Sequence, residues 1–259
     1  MKLQQVLSHV RRAIDDYEMI QENDHIAVGI SGGKDSLTLL HAMAALRRFY
    51  PKKFELSAIT VDLGFQNQNL EKIEELCRDL EVPYKIVHTD IAQVIFDERK
   101  ESNPCSLCAK MRKGALNEAM KEMGCNKVAY AHHKDDVVET MLLSLIYEGR
   151  FHTFAPVTYL DRMEVTVIRP LIYMDESDVI SFTNKNNLPV LKSPCPADGY
   201  TKREYVHNLL QSLDREAHGT KNRMFTAICS ANVNGFKEIP ASSRIRVKTS
   251  KSNAEKNIN

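Results

Sequence analysis

Ile26-Ala27-Val28-Gly29-Ile30-Ser31-Gly32-Gly33-Lys34-Asp35-Ser36-Leu37-Thr38-Leu39-Leu40 is the stretch that decides the fold. Ile26 to Ile30 is a short continuous apolar run, the pattern of a strand buried on both faces in a parallel sheet. It stops at a glycine-rich turn, and the turn opens a helix carrying Leu37, Leu39 and Leu40. The unpaired N–H groups and positive dipole end of that helix N-terminus can cradle a phosphate or pyrophosphate. Gly32 and Gly33 permit the tight turn and the close approach of an anion to the backbone. Ser31 and Ser36 add hydroxyl donors, Lys34 adds a cation, and Asp35 can orient a Mg²⁺ held by the phosphates. The spacing matches neither G-x-x-x-x-G-K-S/T nor G-x-G-x-x-G, so the two commonest phosphate-loop patterns do not apply.

At 259 residues and 43% hydrophobic, the chain can bury one substantial core with a small appendage. A net charge of +1 gives no global nucleic-acid signature, so any RNA surface must be a local basic patch. No apolar stretch approaches the length of a membrane span, and Met1 to Ile20 mixes Arg11, Arg12, Asp15 and Asp16 among its apolar residues. The expectation is a cytoplasmic protein with no membrane partner. Six cysteines in a chain of this length do not make a secreted disulfide scaffold. In a reducing compartment a clustered subset points to metal or sulfur chemistry.

Upstream of the turn, Leu3, Val6, Leu7, Val10, Ile14 and Tyr17 follow helical spacing, predicting a helix within residues 2–19. Downstream, the helix runs to about Tyr50 and is stopped by Pro51. A second strand is expected over Phe54 to Val61, a helix over Glu71 to Leu80, a third strand over Tyr84 to Thr89 and a fourth over Val128 to Ala131. A helix through Leu142 and Ile146, a hairpin over Thr158 to Ile168 and a helical pattern from Asp175 onward complete the reading. Strands alternating with helices argue for an α/β fold with a doubly wound parallel sheet. Its ligand site belongs beyond the carboxyl ends of the strands, where the first turn, Asp62 and the segment after Ala131 converge.

Two further segments carry chemistry. Pro104-Cys105-Ser106-Leu107-Cys108 opens a helix and places two thiols three residues apart, with Lys110, Arg112 and Lys113 following. The helix N-terminus and these cations favour thiolates. Alone, the pair fits a structural zinc, a redox couple or an iron–sulfur site. Cys195 lies in the Pro/Gly-rich loop Ser193 to Gly199, suited to ligation, whereas Cys77, Cys125 and Cys229 fall in helical patterns and read as small buried apolar residues. Ala131-His132-His133-Lys134-Asp135-Asp136 repeats the arrangement of strand, polar loop and helix at the same end of the sheet. Its carboxylates suit Mg²⁺ or ribose, and its histidines suit phosphate contact or packing under a nucleotide. Lys110, Arg112 and Lys113 are also the candidate RNA contacts, with Arg150, Lys202 and Arg203 flanking the same mouth.

Taken together, Ser31 to Ser36, the Cys105–Cys108 segment with Arg112 and Gly114, Ala131 to Thr140, Val167 to Leu171, the loop around Cys195 and Asn222 to Phe225 resemble the tRNA 2-thiocytidine synthetase family of PP-loop ATP pyrophosphatases. The likeness runs from about Asp24 to about Gly235. It implies an ATP-dependent, AMP- and pyrophosphate-forming tRNA sulfurtransferase that adenylates a cytidine at anticodon-loop position 32 and replaces its O2 with sulfur. The implied cofactors are ATP, Mg²⁺ and a [4Fe-4S] cluster on Cys105, Cys108 and Cys195. The family carries a second C-x-x-C in the later loop where this chain has Asp198, which makes Asp198 an additional or substitute ligand. ATP contacts carried over by position are Ser31, Gly32, Gly33, Lys34, Asp35, Ser36, Asp62, His132 and Asp136, with Asp35 and the three cysteines catalytic. The implied partners are tRNA and a sulfur donor such as a cysteine desulfurase or free sulfide, with room for a homodimer. The chain then divides into an N-terminal helix (1–23), a PP-loop domain (24–175) with the inserted C-x-x-C segment, a helical region (176–236) with the Cys195 loop, and a basic, disordered tail (237–259). The alternatives are a PP-loop enzyme acting on another tRNA base, of 2-thiouridine type, or on another substrate with structural zinc at the cysteines.

Overall fold

The apolar run before the glycine-rich turn forms strand β1 (Asp24–Gly29), inside a six-stranded sheet. The other strands are β2 (Phe54–Asp62), β3 (Tyr84–His88), β4 (Lys127–Ala129), β5 (Val157–Leu160) and β6 (Val165–Ile168). The computed structural model describes residues 1–65, 69–99, 104–192, 194–196 and 202–238. The order across the sheet is β3-β2-β1-β4-β6-β5. β1 pairs in parallel with both β2 and β4, β2 with β3, and β4 with β6. The expected hairpin is present as the antiparallel pair β5/β6, so the doubly wound sheet carries one antiparallel edge strand.

The helices are α1 (Leu3–Asp16), α2 (Lys34–Arg47), α3 (Glu71–Asp79), α4 (Ile91–Gln93, continuing as a π-turn to Glu98), α5 (Pro104–Glu122), α6 (Lys134–Glu148), α7 (Glu176–Lys185), α8 (Lys202–Glu216) and α9 (Thr220–Ser230). Alternation along β1 sorts the two faces: Ile26 and Val28 join the larger core with α1 and α2, whereas Ala27 faces Leu116, Ala119 and Met120 of α5. Because the second half of α5 is fixed on the sheet, its first half, with the cysteine pair, overhangs the carboxyl ends of the strands. The fourth strand is shorter than expected. Tyr130 still donates its N–H to the Ile168 carbonyl (3.0 Å), and the chain then leaves the sheet toward α6. Among the described residues no helix is long and apolar enough to cross a membrane. Lys237 is held against Tyr17 and Asp16, and the tail from residue 239 lies outside the described residues, as do Asp198 and the rest of 197–201.

At the opposite end of the sheet, Asp24 and Lys127 form a buried ion pair at 2.7 Å. Asp24 also accepts N–H bonds from Gln21 (2.6 Å) and Asn126 (2.8 Å), and Lys127 donates to the Met19 carbonyl (2.9 Å). The pair thus ties the start of β1 to the start of β4. Asp24→Ala leaves the lysine charge buried without its partner. It is expected to lower stability by about 3–5 kcal/mol, measured by urea unfolding followed by circular dichroism.

Candidate active site

The turn after β1 is closed by its own hydroxyls. Ser31 N–H and Oγ both reach Ser36 Oγ at 3.2 Å, Ser36 Oγ donates to the Gly33 carbonyl (3.0 Å), and Gly33 N–H reaches Ser31 Oγ (3.3 Å). Gly32 has φ +80, and a Cβ there would stand 3.1 Å from Leu191 Cδ1, so the position admits only glycine without strain. Leu191 N–H donates to the Gly32 carbonyl at 2.9 Å, tying this turn to the segment that carries Cys195. No side chain caps α2 at Gly33, which leaves the amides of the first helical turn for a ligand. Lys34 faces Asp35 (3.2 Å) and Glu176 (3.1 Å); burial alone would lower its pKa, but the two carboxylates outweigh it and hold it raised. Asp35 Oδ1 is buried with no hydrogen-bond partner, and burial raises its carboxyl pKa against the pull of Lys34 and His133. A hard oxygen donor left open in this way fits a Mg²⁺ ion.

The His132 to Asp136 segment divides its side chains between two tasks. His132 and Asp136 line the same cavity as Ser31, Asp35 and Ser36. Asp136 Oδ2 accepts the His133 N–H (2.9 Å), capping α6, and its Oδ1 faces Arg203 of α8 at 3.4 Å. Lys134 and Asp135 turn away. Lys134 Nζ donates to Asp175 (2.6 Å) and Asn222 (3.0 Å); Asp135 accepts from Lys221 Nζ (2.6 Å) and from the Glu176 N–H (2.8 Å). Of the two adjacent carboxylates expected at a ligand, only Asp136 lines the cavity. Asp135 holds α7 and α9, and the Asn222 to Phe225 segment is part of that same attachment.

Two adjoining cavities of about 400 and 350 Å³ share Ile30, Ser31, Val61, Ala109 and Arg112. The first holds Asp35, Ser36, Tyr130, His132 and Asp136. The second holds Cys105, Cys108 and Cys195 beside Phe65 and Phe96. Cys105, Cys108 and Arg112 fall on one stripe of α5 at positions i, i+3 and i+7. Burial raises the Cys108 thiol pKa, Cys195 and Cys105 add to that, and Arg112 opposes it through charge and a hydrogen bond. Cys105 and Cys195 thus both act on the Cys108 thiol within one pocket. Among the described residues no three His, Cys, Asp or Glu side chains close on a single metal ion. An iron–sulfur cluster places each thiolate on a separate iron and suits wider spacing.

Other expected residues lie elsewhere. Asp62 ends β2, but its carboxylate accepts the Gly64 N–H (3.0 Å) and meets His88 (2.9 Å), and it lines neither cavity. Lys113 lines the first cavity with Arg112, whereas Lys110 is exposed and lines neither. Arg203 reaches the first cavity through Asp136. Arg150, paired with Glu148, lies at the far end of α6, about 22 Å along a helix of this length from His133. Sequence reasoning also passed over Arg169, which donates from Nε to His132 Nδ1 at 3.2 Å; its presence in the Val167 to Leu171 motif was the available signal.

A model of the PP-loop domain matches residues 3–213 of the chain. The tRNA-cytidine(32) 2-sulfurtransferase of Syntrophotalea carbinolica is 42% identical over 220 residues, covering 84% of this chain and 85% of the relative. The one from Citrifermentans bemidjiense is 36% identical over 230 residues, covering 88% and 90%. Among solved structures, the U34-tRNA thiolase NcsA from Methanococcus maripaludis with its [4Fe-4S] cluster superposes with a TM-score of 0.71 at 26% identity, covering 86% of this chain and 76% of that one.

The cysteine environments predict an order of reactivity. Burial pushes the Cys77 and Cys229 thiols up to about 12 and Cys125 to about 11, whereas Cys105 is exposed. Thiolate and access together set alkylation rates. Limited iodoacetamide treatment of the metal-free native protein at pH 8, read by peptide mass spectrometry, is expected to modify Cys105 first and leave Cys77, Cys125 and Cys229 intact.

Proposed function

The chain belongs to the PP-loop family, among the tRNA-cytidine(32) 2-sulfurtransferases, and from that premise we propose that it uses ATP to replace the O2 of a tRNA cytidine, at position 32, with sulfur. The observation that carries the reading is the shared wall: Ser31 and Arg112 line both the cavity with the glycine-rich turn and the cavity with the three cysteines. Activation of an oxygen and delivery of sulfur to the same carbon need adjacent sites of this kind.

A pyrimidine carbonyl oxygen is a poor leaving group. Attack by O2 on the α-phosphorus of ATP forms an O–P bond, breaks the bond to pyrophosphate and leaves an adenylated oxygen. Sulfur then bonds to C2, and the C–O bond breaks with AMP as leaving group. The amides and hydroxyls of Ser31 to Ser36 receive the departing pyrophosphate, acting as preorganised donors where charge develops. Asp35, through its unpartnered Oδ1, would hold Mg²⁺, which would supply charge stabilisation to the phosphates, and Asp136 and His132 complete the nucleotide side of the cavity. Cys105, Cys108 and Cys195 would hold a [4Fe-4S] cluster, which would supply the chemistry of sulfur delivery beside the nucleotide cavity. Asp198 is an additional or substitute ligand in the same loop. Arg112 and Lys113 offer phosphate contacts at the cavity mouth, and the target base leaves its stack to enter it. Free sulfide, or the persulfide sulfur of a cysteine desulfurase after two-electron reduction by a thiol, supplies the sulfur, in the cytoplasm.

Two measurements test this. Asp35→Asn is expected to lower thiolation by about 10²–10³-fold in a protein that still folds, read by mass spectrometry of tRNA nucleosides from cells lacking and then regaining the gene. Wild-type thiolation by that variant contradicts the assignment. Cys195→Ala, purified anaerobically, is expected to lose its cluster by iron and sulfide analysis. A full cluster in that variant, or stoichiometric zinc in the parent protein, contradicts the ligand set.

A further inference from the structure

Arg169 is a buried cation, 8% exposed, directly after β6. Among the described residues no carboxylate pairs with it. Its donors go instead to neutral acceptors: Nε to His132 Nδ1 (3.2 Å), and Nη1 to the Ala155 carbonyl (2.6 Å) and Thr158 Oγ1 (3.2 Å). Its guanidinium also covers the Phe154 ring at 4.9 Å. Taking an arginine out of water without a counter-charge is expensive, and a role in shaping a neighbouring site accounts for its retention.

That neighbour is His132. Its ring stacks on Phe154 (4.6 Å between centroids, 29° between planes) and meets Tyr130 edge-on (5.9 Å), so it is held from two sides. An arginine N–H only donates, so His132 Nδ1 must offer its lone pair, and a neutral ring then carries its proton on Nε2. Nε2 has no protein partner among the described residues, and His132 lines the cavity that contains Ser31, Asp35, Ser36 and Asp136. We infer that Arg169 is a positioning residue: it fixes His132 as the Nε2–H tautomer, and His132 donates an uncharged hydrogen bond to an anionic oxygen of the nucleotide's phosphate chain. This rests on the reading that the first cavity takes the nucleotide.

The charges around the ring agree. Burial lowers the His132 pKa to about 4; Asp136 pulls it up, while Arg169, Arg203 and His133 push it down. These groups come from α6, the end of β6 and α8. A neutral donor suits the place, because an imidazolium would carry a proton on Nδ1 and lose the bond from Arg169. An uncharged N–H whose direction is set in advance stabilises charge developing on a phosphate oxygen with no reorganisation.

The tautomer is read in the full-length protein, without nucleotide, from the ¹⁵N shifts of the His132 ring, assigned by loss of the signal in His132→Phe. The expected pattern is one protonated Nε2 and one acceptor Nδ1 across pH 6 to 8. In Arg169→Met the two tautomers mix, kcat falls about 100-fold and KM for ATP changes less than threefold. Arg169→Lys, which keeps a donor, recovers part of both signals and stands in should the methionine variant unfold. The double variant Arg169→Met/His132→Phe is expected to be no slower than His132→Phe alone, as for two residues acting through one group. A protonated Nδ1 in the wild type, or losses that multiply in the double variant, overturns the inference. Calorimetry with α,β-methylene-ATP separates the two levels. A wild type that does not bind the analogue overturns the reading of the cavity and the proposed ligand, whereas a binding protein with the wrong tautomer overturns this inference alone.

Discussion

Parallel pairing of β1 with both β2 and β4 is the constraint from which the site follows. Ile26 to Val28 sit opposite Lys127 to Ala129 on one side and Leu56 to Ala58 on the other, so β1 and β4 end within one residue of each other while β2 runs on to Asp62. The chain moves outward from β1 in both directions across the sheet, and the crevice at such a reversal has no strand to fill it. The glycine-rich turn and the His132 to Asp136 segment enter that crevice because each directly follows a strand at this edge. The buried Asp24–Lys127 pair at the other end fixes the register that keeps the two segments level.

Around this frame the C-terminal helices are attached by charge as well as by apolar burial. Lys134 and Asp135 are adjacent in sequence yet reach different helices: Lys134 meets Asp175 and Asn222, and Asp135 meets Lys221 and the amide of Glu176. Glu176 returns a carboxylate oxygen to Lys34 of the glycine-rich turn. The start of α6, the start of α7 and the start of α2 are thus joined by one chain of polar contacts. Arg203, with contacts to Asp136 and Glu139, does the same for α8. Such networks are costly to leave half-satisfied, which makes the C-terminal region integral to the geometry of the cavity.

The sheet was readable because its signals are local. A buried strand is a run of apolar residues, and the Ser31 to Ser36 turn carries its own chemistry. The Thr158 to Ile168 hairpin was equally plain from Asp161-Arg162 at its turn. The fates of individual side chains were harder to read. The pattern of strand, loop and helix does not by itself distinguish Asp135 from Asp136, since one residue of helix rotates a side chain by about 100°; the family resemblance singled out Asp136 by position, and contacts from α7 and α9 hold Asp135 away from the cavity. Asp62 ends a strand at the correct edge, but His88 and the Gly64 amide claim its carboxylate, and the His88 contact comes from the neighbouring strand. Arg150 and Lys110 show the same limit: a basic residue near a motif in sequence can lie at the far end, or on the far side, of a helix. Arg169 was visible as part of a motif, yet its contact with His132 crosses 37 positions and depends on β4 and β6 being neighbours.

The bond from the Leu191 amide to the Gly32 carbonyl makes two distant pieces of chain a single mechanical unit. Cys195 lies four residues beyond Leu191, and Gly32 occupies a left-handed torsion with the Leu191 side chain against it. The conformation of the glycine-rich turn and the course of the chain toward Cys195 are therefore set together at one hydrogen bond. Any coupling of the two cavities through this bond acts equally in both directions.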